Sequence, residues 1–373
     1  MKSLVPIIDL FSGAGGLGIG AKIAGGDLRL SVDSDSYSCD TMRANPVLHG
    51  GVVLQGDVTT LHGNKLRDLA RVDELGPLVV VGGAPCQPFS KAAYWVDKGD
   101  EAAFRRARSR GEAVARVSEP LEARPDSRRT LVSEFLRLTL EADASAFVFE
   151  NVPSILHPRN KAIFEALRED AEDAGYKTRT VVATATDYGA PQARQRVFLL
   201  GSRQHQPAIP LKTHSRDGAD SLQPWVTAGE ALQSLPDQSQ TTPEEVISGR
   251  WAGHLRDVPP GMNYKFHTAW AGHPEPTFET ETRYWNFLLK LDPKRPSWTI
   301  PASPGPWTGP FHWDGRRLRV AELAALQAFP EGYVFAGPRR EQVRQIGNAV
   351  PSVMAAAMVQ EVLSTLDAER VSS

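Results

Sequence analysis

Cysteine is almost missing from this sequence: only Cys39 and Cys86 occur in 373 residues. Two thiols make neither a disulfide framework nor a structural zinc site, and they fit a reducing compartment. Neither sign of charge is in large excess. The formal net charge is −2, so no global cationic field advertises nucleic acid, and any polyanion site must be a local patch. Long apolar runs are missing too. No segment reaches the length of a membrane span, and Met1-Lys2-Ser3-Leu4-Val5-Pro6 lacks the apolar stretch of a signal peptide. There is no internal repeat and no low-complexity tract. What remains is ordinary globular composition, 41% hydrophobic and 23% charged, which permits a full core. The expectation is a cytoplasmic protein with no membrane partner and no metal site, long enough for two domains or one large α/β unit.

The first two hundred residues alternate short apolar runs with amphipathic stretches, the pattern of a doubly wound, mostly parallel α/β sheet. Strands are expected at 5–10, 28–32, 51–54, 78–81, 146–149, 176–183 and 197–200, and helices at 16–24, 36–44, 129–141 and 160–174. From about Gln204 to Trp313 proline, tryptophan, histidine and glycine become frequent and periodicity fades. That texture marks a second, smaller, irregular domain or a long insertion. Helical spacing returns over 342–366. The stretch 97–126 carries seven basic and seven acidic residues and reads as a solvated helix in preference to a phosphate-contacting element.

Phe11-Ser12-Gly13-Ala14-Gly15-Gly16-Leu17-Gly18 follows the first strand and opens a helix. Glycines 13, 15 and 18 fit G-x-G-x-x-G, and Asp33 follows the first of them at the spacing of a ribose-binding acid. Taken alone, the loop suits NAD, FAD or S-adenosylmethionine equally. Asp57 ends the third strand and either accepts from an adenine amino group or caps the next helix.

Cys86 stands in Gly82-Gly83-Ala84-Pro85-Cys86-Gln87-Pro88-Phe89-Ser90, directly after Leu78-Val79-Val80-Val81. A thiol is thereby presented at the carboxyl end of a sheet strand, where open α/β folds bind ligands. Glu150-Asn151-Val152-Pro153 closes another apolar strand, and Gln192-Ala193-Arg194-Gln195-Arg196 precedes a third. A carboxyl beside a cysteine at neighbouring strand ends suits nucleophilic attack with acid assistance. Two arginines at i and i+2 in extended backbone point to one side, where their guanidinium forks can hold a carbonyl oxygen or a phosphate. Singly, each of these residues has a plainer explanation as a buried thiol, a cap or a surface pair.

In this order they resemble the C5-cytosine DNA methyltransferases. The resemblance runs through residues 9–18, Asp33 to Asp35, Asp57, Pro85-Cys86-Gln87, Glu150-Asn151-Val152, Gln192-x-Arg194-x-Arg196, Arg295-Pro296-Ser297-Trp298-Thr299-Ile300 and Gly347-Asn348-Ala349-Val350. It implies a Rossmann-like S-adenosylmethionine-dependent methyltransferase fold, with a catalytic and cofactor-binding domain over 1–203 and 338–373. A target-recognition domain over 204–317 and a hinge over 318–337 complete the chain.

By this resemblance Cys86, Glu150, Arg194 and Arg196 are catalytic. The Cys86 thiolate adds to C6 of a flipped-out cytosine and Glu150 assists at N3. Arg196, supported by Arg194, contacts O2 and keeps the thiol in electropositive surroundings. The cofactor is S-adenosylmethionine, assigned to Phe11, Gly13, Gly15, Asp33, Asp57, Val58, Gly83, Pro85, Leu131, Asn348 and Ala349. Asp33 stands where the family more often has Glu, so the ribose contact could pass to Asp35. Gln87, Ser90, Lys91 and Asn151 fall to DNA. In the recognition stretch Arg256, Asn263, Arg283 and Asn286 are of the types that read base edges or touch phosphates, while its aromatics are expected to pack. The partner is double-stranded DNA in the nucleoid, met by a monomer, with or without a companion restriction endonuclease. The alternatives are the same chemistry on RNA, a non-catalytic DNA-binding homologue and, from the glycine loop alone, a nicotinamide oxidoreductase.

Overall fold

The β-branched apolar runs form the strands of a single sheet in a computed structural model, which describes residues 4–73, 75–89, 100–115, 126–235 and 242–367. These strands are β1 (Pro6–Leu10), β2 (Asp27–Asp33), β3 (Val52–Gln55), β4 (Val79–Gly82), β5 (Ala146–Asn151), β6 (Lys177–Thr184) and β7 (Gln195–Ser202). Their order across the sheet is β3-β2-β1-β4-β5-β7-β6. β1 to β5 pair in parallel, and β7 runs antiparallel to both β5 and β6. Successive side chains alternate between two cores, one on each face. Ile8 and Leu10 join Leu66, Phe135, Leu138 and Leu167 on one face, while Ile7, Val79, Val81 and Val148 meet Leu17, Met354, Met358 and Val362 on the other.

The helices that cover the sheet are α1 (Gly16–Ile23), α2 (Ser36–Ala44), α3 (Gly63–Leu69), α4 (Asp100–Ser109), α5 (Leu131–Glu141) and α6 (Pro158–Asp173). The short helix α3 carries too little periodicity to be read from sequence; Leu66 buries its one apolar face and the Gly63 N–H donates to Glu141 Oε2 at 2.8 Å. The expected helix at 129–141 begins as a 3-10 turn, Ser127–Thr130, before α5 proper. Of the mixed-charge stretch 97–126, the described part is α4 and the turn after it.

The irregular region supplies α7 (Ala228–Gln233) and α8 (Ala252–Asp257) and builds its own aromatic core. Trp251, Tyr264, Phe278 and Phe287 pack there edge to face or, for Trp251 and Phe278, tilted, with ring centroids 5.0–6.3 Å apart. Segment 318–337, expected as a hinge, carries α9 (Val320–Leu326). Leu318, Leu323, Phe329 and Phe335 pack there with Ala14, Ile19 and Leu291. Buried charge ties the same segment to the irregular region, since Arg319 Nε stands 2.9 Å from Glu245 Oε1 and Arg316 Nη2 2.6 Å from Glu322 Oε1.

The expected helix at 342–366 is two helices, α10 (Arg339–Asn348) and α11 (Ser352–Asp367), parted at Pro351, whose ring has no N–H to continue the ladder. By length and composition this run could cross a membrane, but 72% of its most apolar window is buried inside the fold. It is a core element, packed on α1 and the sheet.

Candidate active site

Strand register brings the reactive groups together. β4 and β5 are parallel neighbours with Gly82 beside Phe149, so Gly83, just past the end of β4, lies beside Glu150 near the end of β5. β7 runs the other way and starts where β5 ends, with Val197 opposite Asn151, which brings Arg196 next to the Glu150 end. Cys86 follows four residues after Gly82, on a turn closed by the Phe89 N–H donating to the Cys86 carbonyl at 2.9 Å. Phe89 is fully buried and anchors that turn, with the Arg129 guanidinium 4.9 Å from its ring centroid.

Cys86, Glu150 and Arg196 line one hollow of about 640 Å³ together with the glycine loop, the ends of β2 and β3, and Asn348-Ala349-Val350. Glu150 is buried and forms an ion pair with Arg196, Oε1 to Nε 2.5 Å. Its other oxygen leaves no room for a side chain at Gly83, where a Cβ would stand 2.7 Å from Oε2. Burial pushes the Glu150 carboxyl above the ordinary range, against the pull of Arg196 and Arg194. Such a carboxyl can hold a proton at a pH where an exposed glutamate has lost it.

The arginines were expected to keep Cys86 as a thiolate, and the structure corrects this. Arg196 and Arg194 do pull its pKa down, yet burial outweighs them, Glu150 adds to the upward push, and the thiol lies above the ordinary cysteine range. Cys39 is more firmly inert. It is fully buried, its Sγ faces the Asp33 carbonyl at 3.5 Å, and its pKa is pushed up to about 11.

Most residues assigned to the cofactor meet around this hollow: Phe11, Gly13, Asp33, Asp57, Val58, Gly83, Pro85, Leu131, Asn348 and Ala349 all line it. Phe11 turns the chain out of β1 in the left-handed region, at φ +56°. Asp33 accepts from the Gly13 N–H at 2.7 Å and the Asp35 N–H at 2.8 Å, which locks the loop onto the end of β2. A Cβ on Gly13 would meet no protein atom within 4 Å, so the loop borders open space. Asp57 lines the hollow and also caps, accepting from the Thr59 N–H at 2.9 Å. Asp35 is engaged by Ser38 and by Arg344.

Five assignments fall elsewhere. Gly15 is not part of the lining; it caps α1 at φ +81°, and a Cβ there would come within 2.2 Å of the His49 ring, so its role is to admit that ring. Arg194 is fully enclosed, donating to the Gly347 carbonyl at 2.7 Å and the Ile300 carbonyl at 3.4 Å, and it touches no open surface. Asn151, expected at DNA, is also enclosed: its Nδ2 donates to the Ala84 carbonyl at 3.1 Å and braces the cysteine turn from behind. In the aromatic core of the irregular region the Asn263 side chain is spent on the Lys265 N–H and the Trp285 carbonyl, and Arg283 lies over Phe278 and Phe287. Gln87 lines the hollow. Ser90 and Lys91 lie outside the described residues.

Sequence reasoning missed Arg128 and Arg344, which line the hollow one helical turn before Leu131 and Asn348. Their i, i+3 and i, i+4 spacing to those residues was the available signal. It also missed a buried amide relay. Gln192 Nε2 donates to Gln327 Oε1 at 2.5 Å, its Oε1 accepts from the Ile300 N–H at 3.2 Å, and Gln327 Nε2 donates to the Ala349 carbonyl. This relay joins the arginine motif to the final helix pair.

The sequence profile of the family described as C-5 cytosine-specific DNA methylase matches residues 5–111 and 117–364. The type II methyltransferase M.SacI of Streptomyces achromogenes is 35% identical over 396 aligned positions, covering 98% of this chain and 94% of that protein. M.NgoFVII of Neisseria gonorrhoeae is 30% identical, covering 92% and 83%. Among solved structures, a DNA modification methyltransferase encoded within an E. coli prophage superposes with a TM-score of 0.67 at 22% identity, covering 97% and 99%. A DNMT2 mutant of Spodoptera frugiperda does so with a TM-score of 0.57 at 15% identity, covering 97% and 99%. At those identities the structural matches speak for the fold.

Proposed function

The chain belongs to the C-5 cytosine-specific DNA methylase family, and from that premise we propose how its own residues carry the transfer. It is a DNA (cytosine-5-)-methyltransferase that uses S-adenosylmethionine and acts on double-stranded DNA. One observation carries the assignment of residues: Cys86, Glu150 and Arg196 share a single hollow with the glycine loop and Asp33.

The hollow fits the cofactor: Gly13 borders open space, and Asp33, Asp35, Asp57 and Phe11 line it. Asp33 or Asp35 would hold the ribose hydroxyls, and Asp57 and Phe11 would hold the adenine. When bound, S-adenosylmethionine supplies an electrophilic methyl group. Cys86 gives its proton to water and its sulfur bonds to C6 of the extruded cytosine, while Glu150 gives a proton to N3. The ring then carries an enamine whose C5 is nucleophilic enough to take the methyl group. Arg196 holds Glu150 and the O2 edge in place. After C5 is methylated its proton passes to water or hydroxide, the Cys86–C6 bond breaks by elimination, and N3 returns its proton to Glu150. Arg194 is a positioning residue, clamping Gly347 and Ile300 behind the arginine that faces the hollow.

We assign recognition to residues 204–317, catalysis and cofactor binding to 1–203 with 338–373, and the connection between them to the packed segment 318–337. Gln87 stands at the hollow's edge as a DNA contact, with Ser90 and Lys91 following it in sequence. The relatives are named as type II methyltransferases, which supports a role beside a restriction endonuclease. We further propose that the chain acts as a monomer on DNA in the cytoplasm.

Labelled methyl transfer to duplex DNA and to transfer RNA, followed by digestion to nucleosides, tests this reading. The expected product is 5-methylcytosine in the DNA arm. Label in the RNA arm alone, or in neither, would contradict it.

A further inference from the structure

Four arginines surround one cavity beside the catalytic hollow. It measures about 660 Å³ and is bounded by loop 300–305, by Gly309-Pro310, and by Arg317, Arg339, Arg340 and Arg344, with Glu244 as the one carboxylate in its described lining. Charge there is poorly compensated. Arg344 is committed to Asp35 at 2.9 Å and Glu341 at 2.6 Å. Arg339 reaches Glu244 only at 3.9 Å. Arg317 and Arg340 have no carboxylate partner among the described residues, and Arg317 is half-buried. In a chain of net charge −2, such a pocket is a local exception. Half-buried guanidinium groups beside one another are costly unless an anion is supplied.

Its place in the fold says which anion. Arg344 lines both this cavity and the catalytic hollow, and the Ile300 carbonyl in its wall is the one that Arg194 grips. The two spaces therefore adjoin at Arg344, so the cavity is a neighbour of any nucleotide that enters the hollow. The N-terminal end of α10, at Arg339, adds its positive dipole end to the same region. We propose that the cavity receives the sugar-phosphate backbone of duplex DNA next to the extruded nucleotide, with Arg317 and Arg340 each contacting a phosphate. A planar guanidinium fork matches phosphate oxygens in a way that lysine does not.

The proposal rests on the double-stranded DNA reading above, and its test separates the two. Binding of a fluorescent 30-base-pair duplex of mixed sequence (about three helical turns) is measured across salt concentrations for the full-length chain and for Arg317→Gln, Arg340→Gln and the double variant. Each lost phosphate contact is expected to reduce the slope of log affinity against log salt by about 0.9, so the double variant loses about twice that. S-adenosylmethionine affinity stays unchanged. Arg340 is exposed, so its single variant keeps the test open if Arg317→Gln folds poorly. An unchanged salt slope in Arg340→Gln and in the double variant, or weakened cofactor binding with DNA affinity intact, would overturn the proposal. Failure of the wild-type chain to methylate duplex DNA would instead overturn the reading beneath it.

Discussion

Cys86→Ser loses methyl transfer by a factor on the order of 10⁴ or more, because an alcohol in that position is not ionised and cannot make the bond to C6. The sequence holds no second thiol that could replace it in the hollow. Cys39, the other thiol, is sealed beneath the ends of β2 and β3 with its pKa raised to about 11. The change from sulfur to oxygen is small and Cys86 is only half-buried, so the variant should melt near the wild-type temperature and bind S-adenosylmethionine as the parent does. Turnover within tenfold of wild type in a folded variant would remove Cys86 from the chemistry.

Glu150→Gln should lower kcat by about 10² to 10⁴, the usual worth of positioned acid assistance, while cofactor affinity holds. The pH dependence gives a sharper reading. In the wild type the protonated acid is lost as pH rises through the raised Glu150 pKa, and the thiolate is gained as pH rises toward the raised Cys86 pKa. Their product is a bell. In Glu150→Gln the falling limb disappears and the residual rate climbs with pH as the thiolate forms. Wild-type turnover, or a bell of unchanged shape, would sink the acid role. The neighbouring Arg196 then faces a neutral amide, so the melting temperature of the variant reports the cost of the broken ion pair separately from the rate.

The strand ends were legible because each reactive residue follows a short β-branched run, and a parallel sheet gathers such ends on one edge. Asn151 could have been placed correctly from the same pattern. It follows Glu150 in β5, and alternation sends neighbouring side chains to opposite faces. Arg194 failed for a related reason. The i, i+2 rule assumed extended strand through both arginines, but β7 begins at Gln195, and Arg194 belongs to the turn before it. Gly15 fits the dinucleotide pattern by spacing, yet the ring that requires it, His49, is a long-range neighbour no local motif announces. The Gln192–Gln327 relay and the Arg317–Arg339–Arg340 cavity were illegible for the same reason: each is assembled from segments far apart in sequence. The direction of the Cys86 pKa also needed three dimensions, since two nearby cations and desolvation oppose one another and only the packed site shows which is larger.

The central claim is that one sulfur atom bonds to the target ring while a methyl group arrives at C5. DNA in which cytosine is replaced by 5-fluorocytosine tests it, because fluorine at C5 cannot leave as the proton does and the intermediate is held. Incubated with S-adenosylmethionine, the protein should become covalently joined to such DNA, and peptide mass spectrometry should map the attachment to Cys86. A stable adduct at any other residue, or methylation of ordinary DNA by a protein that never forms an adduct with the fluorinated one, would contradict the account.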